Sequence, residues 1–323
     1  MVNPVVGVDI GGTKIAVGLV DAQDGRMLAR GQEPTEPRRG AADGIRRIGD
    51  MIEVVCTEAS VQPQELLGIG IGCTGPVDPA TGRMAYPDNL PTWDDADIFT
   101  PLRDRFGPLP MALENDCDAA VLGEQWAGAA QGVPNVAYVT VSTGINAGLI
   151  LGGKLHRGVS GTAGEFGHHT IDLNGPECYC GARGCLEALA AGPAIALAAQ
   201  QRARAEDTVL TKLTQEQRVE AITAQTVVQG ALKGDRVAQE IVERTAFYIG
   251  VGLANLITIV GPEVIVMGGG VLTEWELFAP TVKRVAVEWA SMVHPERVRI
   301  LPSALGPDVG VIGAARAVML IAD

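Results

Sequence analysis

Four residues with metal-binding side chains lie close together near the middle of the chain. His168 is followed by Cys178, Cys180 and Cys185, all within the glycine-rich stretch 161–192. One histidine and three cysteines are a set that tetrahedral zinc takes at closed structural sites. Because three of the chain's six cysteines fall in this stretch, the sequence predicts a structural Zn²⁺ site. Three ordinary thiols, or a disulfide with one spare cysteine, are the alternative.

Two carboxylates bracket the same stretch. Glu165 precedes the histidine, and Glu187 follows the last cysteine. A bound ion would fix both carboxylates and the imidazole, and ionised oxygens accept charge-assisted hydrogen bonds from hydroxyl groups such as those of a sugar. A loop that is only a brace, or a zinc ribbon on nucleic acid, is the alternative. The nucleic-acid version is weak because Arg183 is the one basic residue between the cysteines.

A second chemical pattern opens the chain. Asp9 lies near the end of the apolar run 5–10, which predicts a buried strand, and the turn Gly11-Gly12-Thr13-Lys14 follows this run. Glycine N–H groups can approach phosphate oxygens, the Thr13 hydroxyl adds a donor, and the aspartate can hold hydrated Mg²⁺. A plain hairpin turn is nearly as good an interpretation of this segment alone. The spacing matches neither a Walker A loop nor a Rossmann fingerprint.

The opening pattern recurs in the second half of the chain. Residues 136–141 and 147–151 predict two strands, joined by a turn that contains Ser142-Thr143-Gly144. Two such units indicate a duplicated α/β architecture, whose halves each offer a Gly/Thr hairpin to one nucleotide in a cleft between them. After a third predicted strand, 262–267, the glycines Gly268, Gly269 and Gly270 allow close approach of the backbone to an adenosine moiety.

Polar residues follow two further predicted strands. Asn115 and Asp116 lie between a strand at 110–114 and a helix at 118–130, where they are either an N-cap or the place for a general base. Gly75 lies in the loop after the strand 66–73. Asn89 lies in an irregular polar stretch, where it is either an ordinary turn residue or a ligand-binding amide.

The remaining elements are mostly helical. Apolar spacing and composition predict helices at 41–60, 186–204, 215–232, 235–259, 275–290 and 310–321, and strands at 15–20, 26–31 and 298–301. The terminal helix is rich in small residues and could pack back on the first domain.

Composition excludes some classes of partner. The chain has 323 residues and a net charge of −13, which argues against a nucleic-acid backbone and an anionic membrane surface. ATP stays open, since magnesium and backbone N–H groups would meet its charge locally. The longest apolar run, 245–260, is shorter than a membrane span and predicts a buried helix. Without a disulfide pattern or a signal peptide, we expect a cytoplasmic location.

These motifs together resemble the ROK family (repressors, open reading frames and kinases), and its kinases most. The resemblance covers nearly the whole chain and rests on the ordered set Asp9-Ile10-Gly11-Gly12-Thr13-Lys14, Glu114-Asn115-Asp116, Ser142-Thr143-Gly144-Ile145, Glu165-Phe166-Gly167-His168, Gly184-Cys185-Leu186-Glu187 and Gly268-Gly269-Gly270. It implies a two-domain actin-like, hexokinase-type ATPase fold with ribonuclease H-like duplicated domains and an interdomain cleft. We expect the smaller domain at 1–117 with 306–323, and the larger, zinc-bearing one at 118–305.

The resemblance also implies an activity, which is the ATP-dependent phosphorylation of a hexose, glucose above all, at its 6-hydroxyl. Asp116 would be the catalytic base. The implied sugar ligands are Gly75, Asn89, Asn115, Asp116, Glu165, His168 and Glu187. The implied nucleotide and Mg²⁺ site is Asp9, Gly11, Gly12, Thr13, Lys14, Ser142, Thr143, Gly144, Gly268 and Gly269. The implied Zn²⁺ ligands are His168, Cys178, Cys180 and Cys185, and the family suggests a homodimer or homotetramer.

The chain departs from the family pattern in five places. Ser142, Asn146 and Ala147 replace glycines of the second phosphate loop. Asparagine is the least costly substitute if a left-handed backbone is needed, whereas Ala147 bears on nucleotide affinity or the choice of phosphoryl donor. Asp118 stands where asparagine is common; a solvated aspartate at a helix start is the expectation, although its charge could act on Asp116. His169 follows His168 and offers a second imidazole, but the family spacing favours His168.

Other functions stay open from the sequence. Fructose, N-acetylmannosamine or another hexose could replace glucose, and polyphosphate could replace ATP. A sugar-responsive repressor of the same family would need a DNA-binding helix-turn-helix ahead of the ATPase-like part, whereas eight residues precede Asp9. A filament or chaperone ATPase of the same fold is not expected to carry the cysteine loop.

Overall fold

Apolar, β-branched runs form the strands of the computed structural model, which describes residues 3–85 and 90–322. The strands are β1 (Pro4–Ile10), β2 (Lys14–Asp21), β3 (Met27–Pro34), β4 (Ile69–Cys73), β5 (Val77–Asp78), β6 (Arg83–Met84), β7 (Met111–Asn115), β8 (Val136–Val141), β9 (Ile145–Leu151), β10 (Lys154–Leu155), β11 (Val264–Gly268) and β12 (Arg299–Pro302). The helices are α1 (Ala41–Glu58), α2 (Phe99–Phe106), α3 (Asp116–Ala127), α4 (Leu186–Ala190), α5 (Gly192–Ala203), α6 (Leu210–Leu213), α7 (Ala224–Leu232), α8 (Arg236–Val260), α9 (Trp275–Trp289) and α10 (Val309–Ala322).

The two larger sheets share one plan. Their strand orders are β3-β2-β1-β4-β7 and β10-β9-β8-β11-β12. In each, three consecutive strands lie in reverse order at one edge, and two strands from later in the chain complete the sheet. In the first sheet β1 is antiparallel to β2 and parallel to β4, which is parallel to β7. The duplicated α/β architecture predicted from the repeated strand–turn–strand pattern is confirmed by these matching orders.

The chain folds into two compact units. Unit 1 contains Met1–Tyr138, Gly148–Ala163 and Ser303–Asp323, and unit 2 contains Val139–Ala147 and Gly164–Pro302. Unit 1 therefore includes α10, so the predicted return of the terminal helix to the first part of the chain is confirmed. The domain limits expected from the sequence stay a prediction.

The backbone of α10 packs directly on the backbones of β4 and α3 in unit 1. A Cβ at Gly70 of β4 would lie 1.7 Å from the carbonyl oxygen of Ala314, and one at Gly313 would lie 1.7 Å from that of Ala119 in α3. Both distances are shorter than any non-bonded contact allows. Glycine is therefore required where α10 crosses the sheet and α3.

Helix α8 forms the apolar centre of unit 2. It runs for 25 residues, most of its side chains are buried, and it packs against α7 and α9. At the α9 contact, a Cβ at Gly250 would lie 2.6 Å from Cβ of Val285. The run 245–260 is thus the buried helix that the sequence predicts, and within residues 3–85 and 90–322 no helix is long and apolar enough to cross a membrane.

The structure differs from the sequence prediction mainly in the helices of unit 2. The helix predicted over 186–204 is two helices, because Ala191 is extended (φ −74°, ψ 165°) and Pro193 starts a new helix. The helix predicted over 215–232 begins only at Ala224, after Thr223 caps it with a hydrogen bond to the N–H of Thr226. The sequence prediction missed α2, α6, β10 and the hairpin of β5 and β6.

Candidate functional site

Three parallel strands of unit 1 end at the same edge of its sheet. Cys73, the last residue of β4, pairs with Ile10 of β1 and with Asn115 of β7. The ends of these strands and the segments after them carry Asp9 with its turn, Gly75, and Asn115 with Asp116. Burial raises the pKa of the Cys73 thiol, and the charges of Asp116 and Asp9 raise it further. Both carboxylates therefore act on one point at this edge.

Asn115 and Asp116 begin helix α3. The Cys117 N–H donates to Oδ1 of Asn115 at 2.9 Å and to Oδ1 of Asp116 at 2.8 Å. Asn115 is thus the N-cap, one of the two interpretations open from the sequence. Asp116 is in the first helical turn, where the positive end of the helix dipole stabilises a carboxylate. A Cβ at Gly75 would lie 2.7 Å from Nδ2 of Asn115, so that glycine lets its loop approach the amide.

Next to Asn115 and Asp116 lies a partly buried cluster of charged side chains, those of Glu114, Asp118 and Arg157. Arg157 donates to both carboxylate oxygens of Glu114, with Nε 2.9 Å from Oε2. Asp118 is only 4% exposed, and its Oδ1 has no hydrogen-bond partner in the part of the chain that the structure describes. The expected solvated aspartate is wrong, because α3 turns this side chain into the protein. Burial raises the pKa of Asp118 to about 7; Glu114 and Asp116 also raise it, whereas Arg157 lowers it.

The first turn places Asp9 beside helix α10. The Gly11 N–H donates to the Lys14 carbonyl at 2.9 Å, which closes the turn between β1 and β2. A Cβ at Gly310 would lie 2.8 Å from Cγ of Asp9, so α10 begins against this carboxylate. Burial raises the pKa of Asp9, and the charges of Lys14 and Arg30 oppose that shift. A carboxylate oxygen is a ligand that Mg²⁺ accepts.

The second turn is fixed by Glu187 in unit 2. Oε2 of Glu187 accepts the Ile145 N–H at 2.7 Å, and the Ser142 N–H donates to the Gly144 carbonyl at 2.8 Å. A Cβ at Gly144 would lie 2.7 Å from the same Oε2, so glycine is needed for this approach. Glu187 is thus tied to the turn through its carboxylate, a link that the sequence did not reveal.

A cavity of about 250 Å³ opens next to this turn within unit 2. It is lined by Ser142, Thr143, Gly192, Pro193, Ala196, Thr223, Ala224, Gln225 and Val271. The first turns of α5 and α7 contribute to the lining, and N-terminal N–H groups favour anions. The sequence prediction found the first two lining residues and missed the others. The capping box that starts at Thr223 was the available signal.

The loop at 268–270 comes to the end of β8. Gly269 has φ +98°, and a Cβ there would lie 2.3 Å from the carbonyl oxygen of Val141. The Val271 N–H donates to the same carbonyl at 3.1 Å. These contacts require glycine at 269 and place the start of the loop beside the cavity, where Val271 is a lining residue.

The ligand atoms of His168, Cys178, Cys180 and Cys185 all lie within 4.8 Å of one another. Nδ1 of His168 is 3.6 Å from Sγ of Cys178, and Sγ of Cys180 is 3.7 Å from Sγ of Cys185. Zinc bonds of about 2.3 Å to sulfur and about 2.0 Å to nitrogen, at tetrahedral angles, give edges of roughly 3.8 and 3.6 Å. The four residues therefore fit a zinc ion without rearrangement of these two pairs.

The thiols of the cluster differ in acidity. The Ala182 N–H hydrogen bond lowers the pKa of Cys180 to about 7, which favours the thiolate that a metal binds, whereas burial raises the pKa of Cys185. His169 lies outside the cluster: its Nδ1 contacts the Phe166 carbonyl, and its ring stacks on the Phe166 ring at 4.7 Å. Of the two adjacent histidines, the geometry selects His168.

The remaining residues singled out from the sequence are Glu165, Asn89, Asn146 and Ala147. Glu165 is exposed, and its carbonyl accepts the His168 N–H at 3.0 Å, which places both at one short helical turn. Asn89 lies outside the described residues. Asn146 and Ala147 belong to β9 with ordinary extended backbone, and the Ala147 N–H donates to the Gly164 carbonyl at 2.8 Å. Glycine is therefore not required at either position of β9.

The whole chain is similar to known proteins of one family. A sequence profile of the ROK family matches residues 5–320. The glucokinase of Thermotoga maritima is 33% identical over 311 residues, which cover 96% of this chain and 95% of that protein. The xylose repressor of Caldicellulosiruptor bescii is 31% identical over 281 residues, which cover 86% of this chain and 68% of that protein.

The fold is similar to that of a solved structure. A ROK family glucokinase from Streptomyces griseus, in complex with glucose and AMPPNP, superposes with a TM-score of 0.79 at 35% identity, over 97% of this chain and 98% of that one. Together with the two matching sheets, this likeness confirms the predicted fold class, the two-domain actin-like, hexokinase-type α/β fold.

Proposed function

The chain belongs to the ROK family, and from that premise we propose that it is a sugar kinase that transfers the terminal phosphoryl group of ATP to the 6-hydroxyl of a hexose, with glucose as the main substrate. The similarity to the Thermotoga maritima and Streptomyces griseus glucokinases supports this choice, since it runs over at least 95% of each chain. The glucose and AMPPNP held by the Streptomyces griseus protein support glucose as acceptor and ATP as donor.

Asp116 is the group that accepts the proton of the 6-hydroxyl. It stands at the start of α3 and at the end of three parallel strands, where the backbone is held on both sides. The adjacent helix N-terminus stabilises its ionised form, the form a base needs. The side chain of Asn115 is held in place as the N-cap of α3, with its amide next to Gly75. In this position the amide hydrogen-bonds a sugar hydroxyl.

Glu165, His168 and Glu187 bind further hydroxyl groups of the sugar. The resemblance to the ROK family adds Asn89 to these sugar ligands. The zinc loop keeps the imidazole at one orientation, and Glu187 is held by the Ile145 N–H. Zinc, when bound by the three cysteines and His168, supplies folding energy for a loop with little core of its own. Its role is structural, and no reacting atom needs to touch it.

The donor nucleotide is bound by turns and helix ends. Unit 1 offers the N–H groups of the turn at Gly11–Gly12 to phosphate oxygens. Unit 2 offers the turn at Ser142–Gly144, the 250 Å³ cavity and the loop at Gly268–Gly269 to the nucleotide. Asp9 would hold Mg²⁺, which supplies neutralisation of phosphate charge when bound. Phosphoryl transfer needs positioning and charge stabilisation more than covalent help, and these residues provide both.

One observation carries the proposal. The likeness to the glucose- and AMPPNP-bound glucokinase extends over nearly the full length of both chains. A second candidate, a sugar-responsive regulator, is favoured by the 31% identity to a xylose repressor.

The test is a coupled assay of the wild-type protein with glucose, mannose, fructose and N-acetylmannosamine, each with ATP and with polyphosphate. We expect ATP-dependent transfer to glucose to be fastest. Asp116→Asn should keep glucose binding by calorimetry while turnover falls at least about 100-fold, because general-base catalysis contributes that much. The exposed Asp104→Asn is the matched control and should retain wild-type turnover. Sugar binding without transfer to any acceptor would favour the regulator, and near-normal turnover in Asp116→Asn would refute the assigned base.

A further inference from the structure

Tyr179, the residue between the first two cysteines of the loop, reaches back to His168. Its hydroxyl is 3.1 Å from Nε2 of His168, and the two rings meet edge to face with centroids 5.1 Å apart. Yet the residue is 75% exposed. Because so little of the ring is buried, it can move away from His168 without opening a core.

The two nitrogens of His168 have different surroundings. Nδ1 faces the thiols, 3.6 Å from Sγ of Cys178, whereas Nε2 faces Tyr179. When Nδ1 is a metal ligand, the ring proton must be on Nε2, which then donates a hydrogen bond. Oε1 of Glu187 is 3.9 Å from Nε2, too far to accept it directly. The hydroxyl oxygen of Tyr179 is therefore the acceptor that the geometry offers.

We propose that Tyr179 occupies, in the sugar-free protein, the place on His168 Nε2 that a sugar hydroxyl takes in the complex. The inference rests on the proposed function, in which His168 is a sugar ligand. One N–H cannot donate well to two oxygens, so the tyrosine hydroxyl and the sugar compete for it. Tyr179 is thereby an affinity-setting residue of the sugar site.

The loop backbone allows this exchange without unfolding. The Cys178 N–H donates to the Ala182 carbonyl at 2.8 Å, and the Gly181 N–H donates to the Cys178 carbonyl at 3.0 Å. These bonds close the turn on either side of Tyr179 and do not involve its side chain. Rotation of the exposed ring about its own side-chain bonds therefore frees Nε2 while the cysteines keep their positions.

The proposal predicts that removal of the Tyr179 hydroxyl tightens sugar binding, although most substitutions in a binding site weaken it. Tyr179→Phe removes the competing oxygen and keeps the ring, so the sugar no longer has to displace it. A hydrogen bond of this kind changes an equilibrium constant by roughly 2- to 10-fold. We therefore expect the Kd for glucose to fall about 2- to 10-fold and KM to fall with it, while kcat and zinc content stay at wild-type values.

The experiment is calorimetry with glucose on zinc-loaded wild type, Tyr179→Phe and the control Tyr248→Phe, a tyrosine of α8 whose ring contacts Phe247. Zinc content is measured on each sample. Weaker glucose binding by Tyr179→Phe would show that the tyrosine hydroxyl is itself a sugar ligand, and an unchanged Kd would show that it does not compete with the sugar. Loss of zinc from Tyr179→Phe would show that the hydroxyl supports the metal site. Each of these results would overturn the proposal. Wild-type protein that binds no hexose would instead overturn the proposed function.

A second measurement follows the ring itself. The chain has four tyrosines, so ¹⁹F spectra of protein labelled with 3-fluorotyrosine contain few signals. The Tyr179 signal is identified by its loss in Tyr179→Phe. We expect glucose to shift and sharpen this signal as the ring leaves His168. A Tyr179 signal that stays unchanged at saturating glucose, while calorimetry detects binding, would contradict the displacement.

Discussion

Asp118 lies two residues after Asp116 and is buried beside the Glu114–Arg157 ion pair. Burial makes the ionised form unfavourable, the charges of Glu114 and Asp116 add to this effect, and Arg157 opposes it. Oδ1 also has no hydrogen-bond partner among the described residues. With its pKa raised to about 7, the folded protein holds a proton here that the unfolded chain releases near pH 4. The side chain therefore links the stability of unit 1 to pH.

The sign of this dependence is opposite to that of a salt-bridged aspartate. Between about pH 4 and pH 7 the folded state binds more protons than the unfolded state, so the free energy of unfolding falls as the pH rises. Asp118→Asn removes the titrating group and should remove this slope. We expect the variant to gain on the order of 1–3 kcal/mol over wild type at pH 8 and little at pH 5.

Urea denaturation of wild type and Asp118→Asn at pH 5, 6.5 and 8 measures the effect. Asp104→Asn, an exposed aspartate of α2, is the control for a lost surface charge and should change little at any pH. If wild type and Asp118→Asn lose stability in parallel between pH 5 and pH 8, Asp118 is not the group responsible.

At the scale of elements, the cysteine loop has few apolar contacts of its own. Its backbone is held by two isolated bridges, Thr170 with Cys185 and Glu177 with Arg183. Leu173 is 84% exposed, so the loop does not bury its large apolar side chain. Gly184 has φ +67°, and a Cβ there would lie 1.6 Å from the Asp172 carbonyl oxygen. Hydrogen bonds and glycines that no other residue could replace shape the loop, and a metal would supply the remaining stability.

Cys180→Ser should therefore lose metal and sugar affinity together. The hydroxyl is a poor ligand for zinc, and three remaining donors leave the site open. We expect metal content near zero after dialysis, and a drop in glucose affinity of about 10-fold or more as His168 loses its fixed orientation. Plasma mass spectrometry and calorimetry measure the two quantities.

Cys56→Ala, which removes a buried thiol of α1 far along the chain from the loop, is the matched control and should keep its zinc. Full metal occupancy in Cys180→Ser, or full glucose affinity in metal-free wild type, would contradict a structural role for zinc.

The sequence predicts the elements well where one local pattern determines them. Residues 136–141 form a strand with the limits expected, since every position is apolar or β-branched and the strand is buried on both faces. The prediction of one helix over 186–204 was wrong because the high helix propensity of this Ala-rich stretch outweighed the signal of Gly192 and Pro193, which interrupt the helix at Ala191. The cavity of unit 2 was found only in part, because its lining comes from segments far apart in the chain, and the local patterns at Ser142–Thr143 and at the Thr223 capping box do not reveal that these segments meet.

The candidate site also contains a part that the sequence predicts and a part that it does not. The Cys/His cluster is short-range in sequence, so its spacing was enough to bring all four residues together in the prediction. The contact between Glu187 and the Ile145 N–H, and the burial of Asp118, depend on how distant segments pack. No sequence pattern encodes such contacts, and only the structure reveals them.

At the scale of the whole molecule, the two five-stranded sheets share the same arrangement of strands. The last helix, α10, belongs to the first unit and not to the second. The glycines of that packing are not among the candidate site residues, yet they set how closely α10 approaches β4 and α3. Stability of unit 1 should therefore be more sensitive to these positions than to most surface residues.

Gly70→Ala tests this packing. Its added methyl would overlap the Ala314 carbonyl, so α10 must move away and the unit should lose roughly 3 kcal/mol or more of unfolding free energy. Gly31→Ala is the control, because the nearest atom to a Cβ there is 3.8 Å away. Thermal denaturation of both variants measures the difference. A Gly70→Ala protein as stable as Gly31→Ala would show that the helix contact is not tight.

The place of α10 in unit 1 also affects how the protein is made. A ribosome completes the strands of the first sheet early and must add residues 139–302 before it reaches the segment Ser303–Asp323 that covers them. At roughly 5–20 residues per second, the apolar face of the nascent sheet waits about 10 to 30 s for its last helix. During translation that face is open to chaperones and to misassociation, and the second unit can fold while the first is still incomplete.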